Sequence, residues 1–221
     1  MRMGKRIAAA VAALVVLGGA RAAQAAVVYV GDLNGNVGRF DTDTNVGTAL
    51  GRLPGIENTT GIATGMAYDP ATDSILYLDS MGEHVYAMDA TTGSSSLLFA
   101  TPDVEVVGGA VLDGTLYVFD RLHRSVVAYS LDGVAQELSG GPLGDASVAM
   151  GVDPSAGQLY ISSQSGDIHR LNDDGSLGDI AVDVVDSFTK LDLDYFGGDF
   201  LIASFGHVLL VDGATGAASV F

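Results

Sequence analysis

Short apolar runs separated by polar turns recur along the chain. A representative run, Leu116-Tyr117-Val118-Phe119-Asp120, combines aliphatic and aromatic residues and ends in an acidic residue. The turns between runs contain Asp, Gly and Pro, as in Asp-Pro-Ala-Thr-Asp at 69–73. Short runs bounded by turn residues are typical of β-strands and not of helices. The pattern therefore predicts an all-β protein with no helix after residue 25.

The pattern of runs repeats about every forty residues. In each repeat a first strand ends in Asp, a second often contains Leu-Tyr, a third ends in a turn with Asp and Gly, and a weaker fourth follows. The Asp residues that end four of the first strands, at positions 69, 113, 153 and 194, are 44, 40 and 41 residues apart. Four strands at this period are typical of β-propeller blades, whereas a β-sandwich would not require one motif five times. We therefore expect a β-propeller of about five four-stranded blades.

The first repeat is incomplete. It begins at Val27 with a second strand, and the fifth repeat ends at Phe221 with a fourth strand, so the first blade is predicted to lack its inner strand. Three explanations stay open: the ring closes imperfectly, the sequence is truncated, or a strand from a partner fills the position. An open strand edge is a template for pairing with another chain, so self-assembly through this edge is one expectation.

The first 25 residues have the order of a secretory signal peptide. Basic residues within 1–6 precede an apolar run at 7–17, and Ala23-Gln24-Ala25 has the small residues of a cleavage site. This apolar run is shorter than the roughly 20 residues needed to span a bilayer; an uncleaved membrane anchor is the alternative. We expect residues 1–25 to be removed and residues 26–221 to form a soluble propeller domain that is secreted or periplasmic.

Removal of residues 1–25 would leave six basic residues against 27 acidic ones. Nucleic acid is then not an expected partner, because phosphate binding requires clustered Lys and Arg. Most of the acids are Asp, which stabilises turns through its own backbone; an adaptation to high salt or divalent cations outside the cell is the alternative. The absence of Cys excludes a disulfide scaffold, a Cys-ligated metal and a thiol nucleophile.

The repeats resemble the NHL-type and YWTD-type repeats of propellers with about six blades. The resemblance lies in a Leu-Tyr-Val/Ile segment followed by a hairpin and a second apolar strand, and it is best at 152–161. The turns at 89–93 and 212–216 are similar to those of quinoprotein repeats, although the chain has no Trp. The resemblance covers nearly all of residues 26–221. It implies the fold and leaves function open, because propellers include binding proteins and enzymes.

Polar residues close the second strand of every repeat: Asp32, Ser80, Asp120, Ser163 and Ser204. A small acceptor at this position can bind backbone N–H groups of the following hairpin, which is a structural role. The functional alternative is a ligand-binding polar ring on the face where propellers usually bind their ligands.

Calcium is the one cofactor hypothesis that the sequence supports. Calcium prefers six to eight oxygen ligands, and the segments 32–36 (Asp-Leu-Asn-Gly-Asn) and 172–179 are rich in Asp and Asn. Gluconolactonase-type propellers hold a central metal through Glu and Asn or Asp, and Glu57 with Asn58 precedes the first complete inner strand in a similar way. The candidate metal ligands are therefore Glu57, Asn58, Asp32 and Asn34. No other cofactor is expected.

The four histidines are spread over the blades. His84, His123 and His207 fall in turns between second and third strands, and His169 falls in a third strand. With strands about 4.7 Å apart, turns two blades apart are separated by on the order of 20 Å and cannot share a zinc ion with bonds of about 2 Å. We expect solvent-facing turn residues and no Ser/His/Asp group suited to nucleophilic catalysis.

These features favour a secreted, non-catalytic propeller that binds another protein or an extracellular polymer surface through its loop faces. One alternative is a metal-dependent, lactonase-like or sugar-processing hydrolase with an acidic central channel. The other is a structural subunit that assembles by strand donation.

Overall fold

The computed structural model describes residues 11–16, 27–32, 35–41, 44–53, 65–79, 82–143, 149–163, 166–184, 192–204 and 207–220. In these ranges every regular element is a β-strand, and the twenty strands form five antiparallel sheets of four strands each. Within each sheet the strands lie side by side in chain order, as in propeller blades. The prediction of an all-β protein with five blades is confirmed. No helix in the described ranges is long and apolar enough to cross a membrane.

The five sheets, blades 1 to 5, follow one another along the chain. Blade 1 contains β1 Val11–Val16, β2 Val27–Asp32, β3 Asn36–Asp41 and β4 Val46–Arg52. Blade 2 contains β5 Met66–Asp69, β6 Ser74–Asp79, β7 His84–Asp89 and β8 Ser95–Ala100. Blade 3 contains β9 Val106–Leu112, β10 Thr115–Asp120, β11 Ser125–Ser130 and β12 Ala135–Glu137. Blade 4 contains β13 Ala149–Asp153, β14 Gln158–Ser162, β15 Ile168–Leu171 and β16 Leu177–Val182. Blade 5 contains β17 Asp192–Phe196, β18 Asp199–Ser204, β19 His207–Val211 and β20 Ala218–Val220.

The second strand of a blade is buried on both faces because the blade packs between two neighbours. In β6, Ile75 and Tyr77 join the core between blades 1 and 2, whereas Leu76 and Leu78 join the core between blades 2 and 3. Side chains alternate between the faces of a strand, so one continuous apolar run supplies two cores. The outer strands β8 and β12 are largely exposed, which explains the weaker pattern of the fourth strands.

The inner strands form a closed ring. In chain order, β1, β5, β9, β13 and β17 each contact the next inner strand, and β17 contacts β1. A carboxylate adds a direct link between blades 5 and 2. The buried Asp192 of β17 accepts a hydrogen bond through Oδ2 from the backbone N–H of Met66 in β5, at 3.2 Å. This bond joins the two blades that flank blade 1.

The inner position of blade 1 is filled by the N-terminal segment. Residues 27–52 supply three strands, as predicted, and the inner edge of β2 pairs antiparallel with β1. The missing inner strand is therefore a property of residues 26–221, and in the whole chain residues 11–16 complete the blade. A short apolar run suits both an inner strand and the core of a signal peptide, so its pattern does not separate the two. Cleavage after residue 25 stays a prediction.

The packed interfaces between neighbouring blades, here termed seams, differ in size. Among the described side chains, the seam between blades 5 and 1 fully buries three hydrophobic residues, Val28, Leu201 and Ala203. The other four seams each bury between eight and ten. Hydrophobic stabilisation scales with the apolar area removed from water, and β1 contacts β17 and β18 of blade 5, so a chain that lacks β1 is expected to be held less firmly at this seam.

Stacked aromatic rings cross three of the seams. The stacked pairs are Tyr29 with Tyr68 at 5.6 Å, Phe99 with Tyr129 at 5.3 Å, and Tyr160 with Tyr195 at 5.5 Å between ring centroids. Such pairs contribute about 0.5–1.5 kcal/mol beyond their buried area. They supply aromatic packing between blades in a chain that contains no Trp.

The Asp residues predicted to end the first strands occupy different positions. Asp69 and Asp153 end their strands, and each accepts a hydrogen bond from the backbone N–H two residues later, at 3.0 and 2.9 Å. Asp113 and Gly114 form the next hairpin turn with φ values of 50° and 74°, which suits a two-residue turn of type I′. Asp194 instead lies inside β17, so its regular spacing does not mark a turn.

Candidate functional site

The predicted ring of polar residues follows the second strands in four blades. Asp32, Asp120 and Ser204 end β2, β10 and β18, and Ser163 directly follows β14. All of them therefore lie at the same end of their blades, next to the turn that leads into the third strand. For Asp32 and Ser204 the structure describes the backbone only.

Blade 2 differs from the sequence-based assignment by one residue. β6 ends at Asp79, and Ser80 lies outside the described residues. Asp79 pairs with His84, just as Asp120 pairs with Ser125 in blade 3. Each hairpin therefore encloses four residues. The pairing within the hairpin determines where the second strand ends, whereas the number of residues after the Leu-Tyr segment does not. Asp79 is the residue of blade 2 that corresponds to Asp120.

The two buried carboxylates of this set hold their own turns in shape. Asp79 accepts a hydrogen bond from the Gly82 N–H at 3.0 Å, and Asp120 accepts one from the Leu122 N–H at 2.9 Å. Asp120 also accepts a hydrogen bond from the Glu105 N–H at 3.2 Å, which ties the turn to the segment before β9. Burying a carboxylate is costly unless hydrogen bonds compensate it. The structural role predicted for these acids is therefore visible at both positions.

Ser163 closes its turn through backbone bonds. Its N–H donates to the Asp167 carbonyl at 2.8 Å, and its carbonyl accepts from the Gly166 N–H at 3.3 Å. The residue is buried. In blade 4 the strand end is therefore a tight, hydrogen-bonded turn, like the corresponding turns of blades 2 and 3.

The candidate metal ligands fall largely outside the described residues. Glu57, Asn58 and Asn34 lie outside them, and only the backbone of Asp32 is described. Among the side chains that are described, no three His, Asp or Glu residues gather closely enough to hold a metal ion. Calcium binding stays a prediction.

The second candidate calcium segment, 172–179, contains a hydrogen-bonded turn. Asp174 Oδ1 accepts hydrogen bonds from the N–H and the hydroxyl of Ser176, at 2.9 and 2.6 Å. These two bonds hold the pKa of Asp174 below its usual value. The Asn172 side-chain amide donates to the same hydroxyl at 2.9 Å. Turn formation accounts for Asn172, Asp174 and Ser176, and calcium binding at this segment stays a prediction.

The histidines occupy unlike environments. His84 begins β7 with its ring 6.0 Å from that of Tyr86. His169 lies half-buried in β15, and His207 begins β19. His123, in the turn after β10, contacts the buried Asp120.

His123 and Asp120 form a close pair. His123 Nδ1 lies 2.5 Å from Asp120 Oδ2, while Oδ1 of the same carboxylate accepts the two backbone hydrogen bonds already described. Asp120 is 1% exposed, whereas the His123 side chain is 60% exposed. A carboxylate that accepts the Nδ1 proton selects the tautomer of a neutral histidine and orients its ring. In the neutral ring the opposite nitrogen, Nε2, is a hydrogen-bond acceptor at the surface, and in the protonated ring it is a donor.

The exposure of His123 agrees with the expected solvent-facing turn residue, but the sequence pattern did not predict its contact with Asp120. The spacing Asp-x-x-His was present, but the contact depends on the shape of a four-residue turn in which Arg124 has a φ of 57°. Ser125 follows this turn and lines the same groove as the pair. A search for Asp and His three residues apart in the turn after a second strand would have found the pair.

The pair faces a surface groove of about 580 Å³. The groove lies between the outer part of blade 3 and the segment 100–104 that leaves blade 2. Val104 and Tyr129 line it with apolar surface, and Asp103 and Glu137 add carboxylates. In this groove an oriented polar group and apolar surface meet.

No protein-family model and no curated protein matches this chain. Solved structures do match it. A structure of a nidogen/laminin complex is 19% identical with a TM-score of 0.63, covering 97% of this chain and 80% of that one. Virginiamycin B lyase from Staphylococcus aureus is 13% identical with a TM-score of 0.55, covering 86% and 61%. A streptogramin B lyase structure is 8% identical with a TM-score of 0.60, covering 98% and 70%.

These identities support a shared fold and nothing finer. The chain is a β-propeller. One of the similar structures is a complex of two proteins and two are lyases, so the likeness extends to binding proteins and to enzymes alike.

Proposed function

We propose that this β-propeller is a secreted or periplasmic, non-catalytic protein that binds another protein or an extracellular polymer through its loop faces. The main support for the proposal is that the acids at the strand ends stabilise the turns that follow them. Asp79 and Asp120 accept hydrogen bonds from the turns that follow them, so the turns on this face are pre-shaped. A pre-organised surface binds a partner with little ordering cost.

The likeness to a nidogen/laminin structure supports a protein as the partner, because that structure is itself a protein–protein complex. The charge of the chain supports a partner with a basic surface, since residues 26–221 carry six basic residues and 27 acidic ones. Complementary charge mainly speeds association and makes it sensitive to salt. Binding is therefore expected to weaken as ionic strength rises.

The test starts from purified residues 26–221 immobilised and exposed to extracellular or periplasmic extract. Each captured protein or polymer is then purified and measured for binding by biolayer interferometry at low and high salt. The proposal predicts at least one partner that saturates and binds less tightly at high salt. If no purified candidate gives saturable binding, the proposal is wrong.

The hydrolase alternative is tested on the same material. Glu57, Asn58, Asp32 and Asn34 would supply the metal ligands, and calorimetric titration with calcium reports whether a stoichiometric site exists. The binding proposal predicts no turnover of lactones or sugar esters in the presence of calcium. Turnover that is lost in both Glu57→Gln and Asn58→Ala variants would establish the enzyme instead.

Strand donation is a second candidate, and the filled inner position of blade 1 favours it. β1 pairs with β2 from Val11 to Val16, and it also contacts the inner strands β17 and β5. Loss of residues 1–25 would expose the backbone edge of β2 between these two strands. An exposed edge of this kind can accept a strand from another chain.

The strand-donation candidate predicts a difference between two chains. Residues 26–221 are expected to associate in a concentration-dependent way, whereas residues 1–221, produced without export, stay monomeric in analytical ultracentrifugation. A synthetic peptide with the sequence of residues 10–17 should suppress the association and raise the melting temperature of residues 26–221. A monomeric chain 26–221 that melts at the temperature of the whole chain would rule out this candidate.

A further inference from the structure

The groove beside His123 arises from a short outer strand. β12 has three residues, whereas β4, β8 and β16 have six or seven. It pairs with β11 only at Val127, Ala128 and Tyr129, so this pairing ends before the Ser125 end of β11. That end of β11 lines the groove.

The chain leaves blade 3 directly after β12 because it packs onto blade 4. Leu138 joins the core between blades 3 and 4, and the Gly140 N–H donates to the Asp174 carbonyl of blade 4 at 2.6 Å. The Leu143 N–H then donates to the Arg124 carbonyl at 2.6 Å, at the far end of the groove. These bonds fix the segment that borders the groove, so the opening is part of the fold.

The groove combines apolar walls with hydrogen-bond acceptors. Tyr129 is held by its stack on Phe99 of blade 2, and Val104 lines the same space. Asp103 and Glu137 line it too, and neither Lys nor Arg is among its described lining residues. The nearby Arg121 is paired with Glu105. The lining side chains therefore present apolar surface and acceptors, whereas Arg121 and Arg124 belong to the turn beside the groove and are not among the lining residues.

We propose that this groove binds a Lys or Arg side chain carried by an extended segment of a partner protein. This proposal rests on the binding function proposed above, and it specifies which kind of partner side chain this groove accepts. The carboxylates of Asp103 and Glu137 accept hydrogen bonds from the cation, and Nε2 of His123, in the neutral form of the ring that Asp120 orients, adds a third acceptor. Val104 and Pro102, which line the groove, cover the apolar stem of the side chain, which long basic residues bury while their charged end stays hydrated.

Charge decides between this occupant and its alternatives. An acidic side chain would meet the carboxylates of Asp103, Asp120 and Glu137, and like charges brought together in this way are repulsive. A purely apolar side chain would cover the acceptors and take water from them without a compensating hydrogen bond, which costs free energy. An extended backbone suits the groove because the Ser125 end of β11 borders it, and strand edges are common docking places for peptides.

The test uses three peptides that differ at one position: acetyl-Thr-Val-Lys-Val-Thr-amide and its norleucine and Glu counterparts. Binding to the isotope-labelled whole chain, residues 1–221, is followed by NMR chemical-shift changes. The Lys peptide is expected to saturate, with its largest shifts at residues that line the groove. The norleucine and Glu peptides are expected to bind roughly tenfold or more weakly, the loss that corresponds to one hydrogen bond to a charged group.

Variants then separate the groove from general acidity. His123→Gln and Glu137→Gln should each weaken the Lys peptide about tenfold, as expected for loss of one charge-assisted bond. Asp179→Asn is the matched control, because it removes one exposed acid from the outer strand of blade 4, and it should change the affinity less than twofold. The proposal is overturned if the Lys and norleucine peptides bind equally, or if the control weakens binding as much as the groove variants.

The same variants distinguish this proposal from the broader one. A captured partner whose binding is unaffected by His123→Gln and Glu137→Gln would contradict the groove proposal and leave the binding function intact. If the Lys peptide binds saturably but no partner is found in the extract, the groove proposal is supported and the broader binding proposal is contradicted.

Discussion

At the scale of single residues, Asp has more than one role in this fold. Asp194 accepts the N–H of Tyr195 at 2.8 Å inside its own strand. Asp192, two residues earlier, is completely buried and reaches Met66 of another blade. The regular spacing along the sequence aligned Asp194 with the acids of other blades. It predicted no role for Asp192, because a hydrogen bond between residues 126 positions apart leaves no local pattern in the sequence.

Asp192→Ala is expected to lower the free energy of unfolding by about 2–3 kcal/mol, the value for a buried hydrogen bond to a charged group whose partner is left unsatisfied. Urea denaturation of residues 26–221 measures the change. Asp179→Ala, which removes an exposed acid from β16, is the control and should alter stability by less than about 0.5 kcal/mol. Equal effects of the two substitutions would contradict the link between blades 5 and 2.

Tyr68 makes stability depend on alkaline pH. Burial, followed by the hydrogen bond from its hydroxyl to Asp73 Oδ1 at 2.7 Å, raises the pKa of Tyr68 above the usual value of 10.0. The folded protein thus favours the neutral phenol, so its contribution is complete below pH 10 and is lost as pH rises through the folded pKa.

The urea midpoint of the unaltered chain should therefore fall above pH 10, and the fall should be smaller in Tyr68→Phe. Other buried tyrosines, including Tyr29 and Tyr160, also have raised pKa values, so the informative quantity is the difference between the two proteins. The same alkaline loss in both would show that Tyr68 does not contribute.

At the scale of strands and turns, most of the fold could be predicted because its signals are local. Alternating burial and turn residues mark each strand within a few positions. The end of β6 was misplaced by one residue because hairpin register, here Asp79 with His84, depends on pairing and not on motif position. The Asp120–His123 pair was missed because it depends on turn conformation. β1 was missed because its apolar run equally suits a signal peptide.

Inner strands tolerate little added volume, and Gly151 of β13 is a sharp example. A Cβ at this position would lie 2.9 Å from the Cα of Asp194 in the next inner strand. The obstacle is backbone, so it cannot rotate away. Gly151→Ala should destabilise the protein by about 1–3 kcal/mol, the usual cost of overpacking.

Gly47→Ala is the matched control for that substitution, because its Cβ would meet only a ring atom of Phe40 at 3.9 Å, an ordinary contact. Thermal melting of both variants beside the unaltered chain makes the comparison. If the two substitutions lower the melting temperature equally, the close approach of β13 and β17 is not the reason that glycine is needed at position 151.

At the scale of the whole molecule, blades 1 to 5 form a ring of five seams, and in residues 26–221 the seam between blades 5 and 1 lacks β1, which contacts β17 and β18 in the whole chain. Two adjacent residues of β18 test whether this seam contributes less to stability than the seam between blades 4 and 5. Leu201 and Ile202 are both completely buried, but Leu201 packs into the seam between blades 5 and 1, whereas Ile202 packs into the seam between blades 4 and 5.

Truncation of large buried aliphatic residues to Ala costs about 2–5 kcal/mol, depending on how tightly the site is packed. In residues 26–221, Leu201→Ala should lie near the lower end and Ile202→Ala near the upper end. Hydrogen exchange should show the same order, with faster exchange in β2 than in β6 or β10, because the inner edge of β2 loses its pairing partner when β1 is removed. If Leu201→Ala is the costlier change and β2 exchanges as slowly as β6, the seam between blades 5 and 1 is as firmly closed as the others, and strand donation at blade 1 loses its physical basis.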